Sequence, residues 1–268
     1  MQTCEYTVEG NSEGPALVFI HGWPDNASLW RKQVAALAPD YRCVLVTLPN
    51  FGAGSDKSGG FSFPELVEIL GNTIKEVQAG NKVTLVTHDW GAYIGYLVEQ
   101  AYPDRIERMV AMDVGGRAGR PSPKAAFMIL GYQWALVFCW FVGGLIPPLG
   151  NLLSRGVARV VRVPDRQRKT VRSRYNYPYF CLWQGILLPW KRDGILQHYQ
   201  PRCPIVYLYG TRKPFQFHSK RWLDMVAASG GFARGIDAGH WLQEQRAEEV
   251  NALMVAWLGG GGNPPDEP

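Results

Sequence analysis

Cysteine is sparse and unpaired in this chain. The five residues, Cys4, Cys43, Cys139, Cys181 and Cys203, are odd in number and scattered over 268 positions. That pattern suggests neither a disulfide framework nor a zinc site of regular ligand spacing, and it suits a reducing, cytoplasmic setting. No metal or cofactor is expected. A basic-then-apolar leader is also lacking ahead of the first strand-like segment, so secretion has no support there. With 46% apolar and 19% charged residues the chain is not of the disordered class. Its length suits one large α/β domain carrying an insertion.

A second absence is local. Ala125 to Ser154 contains no charged residue, whereas Arg155 to Arg174 is strongly basic with only Asp165 against the positive charge. The uncharged run is long enough to span a bilayer, but Gly131, Gln133, Gly143, Gly144, Pro147 and Pro148 interrupt it within an otherwise soluble pattern. An apolar helical lid or a membrane-facing surface is the better expectation. A peripheral membrane contact through 125–174 fits the adjoining arginines. Nucleic acid is not an expected partner, because no aromatic-interleaved motif or groove-reading helix accompanies the charge.

Around this insertion the chain alternates. "ALVFI" (16–20), "RCVLVTL" (42–48) and "KVTLVTH" (82–88) are apolar runs without polar alternation, as parallel strands covered on both faces require. "PELVEILGNTIKEV" places Leu66, Val67, Leu70, Ile74 and Val77 on one helical face, with Pro64 at its start and Gly80 past its end. A strand over 105–114 follows. The rhythm breaks from 115 to 202 and resumes with a strand over 204–210, a helix near 219–228, a strand near 232–237 and a helix over 247–258. This predicts a mostly parallel, doubly wound sheet whose core comprises 1–114 and 203–258, a mainly helical lid over 115–202, and a disordered tail over 259–268.

At "VTHDWGA" a buried strand turns directly into a helix, and Asp89 sits on the hinge. Such a hinge lies at the carboxyl edge of the sheet, where open α/β sheets bind ligands. The helix N-terminus there favours an anion. Gly91 supplies one small neighbour for the tight turn; Thr87 is larger than such a turn prefers and predicts local strain.

"HGWPDNASLW", "LPNFGAGSDKSG", "THDWGA" and "DAGHWLQEQ", in this order and spacing, resemble the α/β-hydrolase superfamily. "HDWG" resembles its aspartate-nucleophile branch, the epoxide hydrolases and haloalkane dehalogenases. The resemblance covers about 14–114 and 203–258 and implies the α/β-hydrolase fold. It further implies Asp89 as nucleophile, His240 as the base of the second step, and backbone N–H groups of Trp23 and Trp90 as the oxyanion hole. The residue types agree. A carboxylate needs no activating base, and its attack on an sp3 carbon gives an alkyl ester that water must then open. His21 and His88 read as structural hydrogen-bonding residues.

An acid should orient His240. Lys213 occupies the offset after the post-insertion strand where many α/β hydrolases carry it. Asp113, ending the strand after the elbow helix, is the expected acid, a placement that resembles many dehalogenases. Dehalogenases cradle halide with the indole after the nucleophile plus an asparagine in the "HG" loop or a lid tryptophan; here Trp23 occupies the asparagine position. Epoxide hydrolases carry an aromatic there and two lid tyrosines, for which Tyr132, Tyr175, Tyr177 and Tyr179 are candidates. The expected function is therefore hydrolysis of apolar, lipid-derived epoxides with water as co-substrate. Haloalkane dehalogenation is the alternative. A binding or membrane-associated protein that kept the fold without turnover also stays open, motivated by Lys213, Thr87 and the unmatched lid.

Overall fold

The computed structural model describes residues 1–52 and 57–260. Seven strands form one sheet in the order β1-β3-β2-β4-β5-β6-β7. They are β1 (Glu5–Gly10), β2 (Ala16–Ile20), β3 (Arg42–Thr47), β4 (Val83–His88), β5 (Ile106–Met112), β6 (Ile205–Gly210) and β7 (Ala233–Ile236). All neighbours pair in parallel except β1, which runs antiparallel to β3 from Glu5 opposite Thr47 to Gly10 opposite Arg42. Apolar-run reading starts the sheet at Ala16 and misses β1. The reason is physical: β1 is an exposed edge strand whose residues contribute little to the core, so it carries no buried run to detect.

The helices are α1 (Arg31–Leu37), α2 (Phe63–Val77), α3 (Trp90–Ala101), α4 (Pro123–Leu145), α5 (Pro147–Val160), α6 (Asp165–Arg168), α7 (Tyr177–Leu187), α8 (Lys220–Ala228), α9 (Leu242–Gln245) and α10 (Ala247–Leu258). For α2 a capping box fixes the start: Ser62 Oγ accepts from the Glu65 amide while Glu65 accepts from the Ser62 amide. Between β5 and β6 the described chain is helical, α4 to α7 with short 3-10 turns. The expected tail lies outside the described residues from 261 onward.

The elbow is built by small residues at close approaches. A Cβ on Gly91 would collide with the carbonyl oxygens of Ile20 and His21, so glycine lets α3 sit against the end of β2. Thr87 is not where the turn is strained. Its hydroxyl bonds the Val110 carbonyl at 3.3 Å, and its methyl faces Gly95, where an added Cβ would lie 3.0 Å away. The missing side chain one turn into α3 makes room for the threonine. The unusual backbone belongs to Asp89 itself, at φ 55°, ψ −123°.

Candidate active site

Loops leaving the carboxyl ends of β2, β4, β5 and β7 converge on Asp89. The carboxylate does not cap α3 in the ordinary way. Instead Asp89 Oδ2 accepts from the Trp23 amide at 2.8 Å, and the Trp90 amide also donates to the carboxyl group. A Cβ on Gly22 would collide with this carboxylate and lie 2.6 Å from the Trp90 nitrogen, so a glycine must precede Trp23. Burial pushes the Asp89 carboxyl above its usual range, while His240 and the two amides pull it back.

The other Asp89 oxygen faces the histidine: His240 Nε2 lies 3.5 Å from Asp89 Oδ1. On the far side of the ring, Nδ1 bonds Asp113 Oδ2. Asp113 follows β5 in a left-handed conformation, φ 72°, and is fully buried. Holding two non-glycine residues at positive φ costs about 1–3 kcal/mol each; both are carboxylates aimed at the same imidazole. Asp113 Oδ1 accepts from the Gly210 amide at 3.1 Å and from the Lys213 ammonium.

Lys213 stands where an acid was looked for, yet it completes the same cluster. Its side chain is 8% exposed and pairs with Asp113. Burial lowers the Lys213 ammonium while the Asp113 charge raises it. The Asp113 carboxyl is held down to about 2 despite its burial, by His240 first and Lys213 next. His240 is shifted upward: burial opposes the shift, Asp113 and Asp89 drive it, and Lys213 counters it. As the candidate base, His240 must be neutral to take a proton from water, so activity is expected to fall as pH drops through its pKa. Lys213→Met removes a cation that depresses that pKa. We therefore expect the acid limb of the kcat–pH profile to move to higher pH in this variant, measured by a full profile on a water-dispersed substrate.

His21 and His88 take supporting roles. His21 Nδ1 bonds the Gly22 carbonyl at 2.9 Å and its Nε2 accepts from the Leu48 amide at 3.1 Å, a pattern for a neutral ring. Burial lowers its pKa to about 4. His88 Nε2 bonds the His240 carbonyl at 2.9 Å and so holds the loop that carries the candidate base. Burial lowers it to about 3.

The tyrosines separate. Tyr177 is removed from the pocket-facing set because its hydroxyl donates to the Pro49 carbonyl at 3.1 Å. Tyr175 stacks on Phe51 with ring centroids 4.7 Å apart. Tyr132 of α4 and Tyr179 of α7 meet edge to face at 6.1 Å, and Tyr179 packs at 5.0 Å against Trp90 and 5.8 Å against Trp23. Burial raises both phenols, and the Asp89 charge adds to each shift. The rings against Trp90 are Phe63, Tyr93 and Tyr179. The Trp23 indole N–H is committed to Asn176 Oδ1 at 2.8 Å. Asn176 escaped the sequence reading although it lies between the tyrosines in "RYNYPY"; its amide also donates to the Leu136 carbonyl at 3.2 Å and Ser154 Oγ at 2.9 Å, tying the "HG" loop to α4 and α5. Among the described residues no cluster of three or more His, Cys, Asp or Glu could hold a metal ion.

A family model, the Alpha/beta hydrolase family, matches residues 17–253. Among curated proteins, Epoxide hydrolase 2 of Caenorhabditis elegans is 29% identical over 94% of this chain and 76% of its own length. Epoxide hydrolase 3 of Mus musculus is 30% identical over 94% and 73%, and a Haloalkane dehalogenase of Mycolicibacterium paratuberculosis is 26% identical over 94% and 86%. Among solved structures, Epoxide Hydrolase A from Mycobacterium thermoresistibile superposes with TM-score 0.71 at 20% identity, covering 95% of this chain and 94% of that one. The Bacillus megaterium epoxide hydrolase gives 0.68 at 22%, covering 96% of each.

Proposed function

Because this chain belongs to the alpha/beta hydrolase family, and is a hydrolase with epoxide hydrolase and haloalkane dehalogenase relatives, we propose that it opens apolar epoxides through a covalent ester on Asp89. Asp89 Oδ1 attacks one epoxide carbon as that carbon's bond to oxygen breaks, and the released oxygen takes a proton from Tyr132 or Tyr179. His240, oriented by Asp113, then removes a proton from water, whose oxygen attacks the ester carbon. The charge that develops falls on Oδ2, which accepts from the Trp23 amide, and the Trp90 amide that bonds the same carboxyl group supports it. Collapse expels the diol with Oδ1. His240 returns its proton to the diol, and the remaining proton on the re-formed carboxyl goes back to the tyrosinate. The five cysteines are free thiols, in keeping with a cytoplasmic enzyme.

The observation that carries the epoxide reading is the group next to Trp90 and Trp23. A halide needs a second N–H donor beside the Trp90 indole, whereas here the Trp23 N–H is spent on Asn176 and the ring of Tyr179 packs against both indoles. The end-of-β5 placement of Asp113 is the one feature that leans toward dehalogenation. A panel of small epoxides and haloalkanes decides between them: diol formation without halide release is expected, and halide release alone would replace this reading with the other. Tyr179→Phe should lower the rate of ester formation on an epoxide by about 10²-fold, read as single-turnover adduct formation, with ester hydrolysis changed far less.

A further inference from the structure

α4 is apolar on both sides. Its inner side buries Leu136, Val137 and Cys139 and carries Tyr132 toward Tyr179. Its outer side shows Phe127 (79% exposed), Trp134, Phe138, Phe141 and Leu145 (85% exposed) at seven-, four-, three- and four-residue steps, one continuous stripe of a helix. α5, which packs against α4, adds exposed Leu152 and Val160. Single exposed apolar residues are ordinary, but a contiguous aromatic stripe of this length marks an interaction surface. The helix is long and apolar enough to cross a bilayer. It is nevertheless held to the protein: its inner side is buried, and the Leu136 carbonyl is bonded by Asn176.

We propose that this outer face of α4 and α5 seats the protein on an anionic phospholipid bilayer, lying along the surface without spanning it. Charge decides the occupant. From Lys124 to Arg159 there is no Asp or Glu; Arg155 and Arg159 are exposed on α5, and Arg166 on α6 next to it. A second copy packed on this face about a two-fold axis would set those arginines against their own kind. A bilayer bearing anionic headgroups accepts the aromatic stripe and neutralises the arginines together. The surface follows from α4 and α5 alone. It rests on the reading above only in its consequence, that the helix bearing Tyr132 touches the phase in which an apolar substrate dissolves.

The test is sedimentation of the full chain with vesicles of phosphatidylcholine alone and of phosphatidylcholine with phosphatidylserine. Binding to the second and not the first is expected, weakening as salt rises. Arg159→Gln with Arg166→Gln should weaken it about 30-fold, with hydrolysis of a water-dispersed substrate unchanged. Phe138→Ser, at a position 61% exposed, should weaken it further while circular dichroism reports an intact fold. Asp89→Asn should bind as the wild type does, so a failure of the ester chemistry leaves the membrane result standing, and the converse holds too. A monomer that ignores the anionic vesicles would overturn the proposal. So would a dimer abolished by Phe138→Ser, which would assign the face to a second copy, or equal binding to both vesicle types unaffected by the arginine changes.

Discussion

His240→Gln should stop the cycle half-way. Ester formation needs Asp89 and a proton donor but no base, so the first half-reaction proceeds. Ester hydrolysis loses the group that deprotonates water, and kcat should fall by about 10²–10⁴-fold. The ester then accumulates to one equivalent, and intact mass distinguishes the substrate classes. An epoxide adds its whole mass, because opening the ring expels nothing; a haloalkane adds its mass less hydrogen halide. The 3.5 Å separation of His240 Nε2 from Asp89 Oδ1 leaves the ring beside the carboxylate, within reach of a water at the ester carbon. Absence of an adduct with every substrate the wild type turns over would rule out the two-step scheme.

Asp113→Asn should damage stability and turnover for separate reasons, and a second substitution should pull them apart. Removing the Asp113 charge leaves the Lys213 ammonium buried without its anion, which costs about 3–5 kcal/mol. It also leaves the His240 imidazolium without its stabilising partner, so ester hydrolysis should slow by about 10²–10⁴-fold while ester formation changes little. Lys213→Met in the Asp113→Asn background removes the orphaned charge. Denaturant melts should then recover most of the lost stability, with single-turnover hydrolysis remaining slow. Recovery of both would make Asp113 a structural residue only; equal slowing of both half-reactions would do the same.

The legible part of the sequence was the part where local chemistry and global position coincide. Gly22 and Gly91 each answer to one close approach, so "HGW" and "HDWG" carry that geometry in the residue types themselves. The parallel strands were readable because both faces are buried, and β1 was not because it is an exposed edge. Thr87 was legible as an oddity and misplaced as the seat of strain, since the space it uses is opened by Gly95, a residue on another element. Lys213 shows the limit most plainly. From sequence it marks a missing acid; in three dimensions it pairs with Asp113, the carboxylate that follows β5. Tyr177 and Tyr179 are two residues apart and look alike in sequence, yet one hydroxyl is consumed by the Pro49 carbonyl and the other ring packs against both indoles of the site. Which tyrosine faces the indoles is a property of the path of α7, not of the motif.

The most direct measurement of the central claim is one turnover in heavy-oxygen water with enzyme in excess. If Asp89 Oδ1 attacks the substrate, the first diol formed carries ordinary oxygen, and the heavy atom appears in the Asp89 carboxylate, where a peptide map finds it. If the heavy atom appears at once in the diol and the Asp89 peptide stays light, water attacks the substrate directly, and the covalent ester mechanism is wrong.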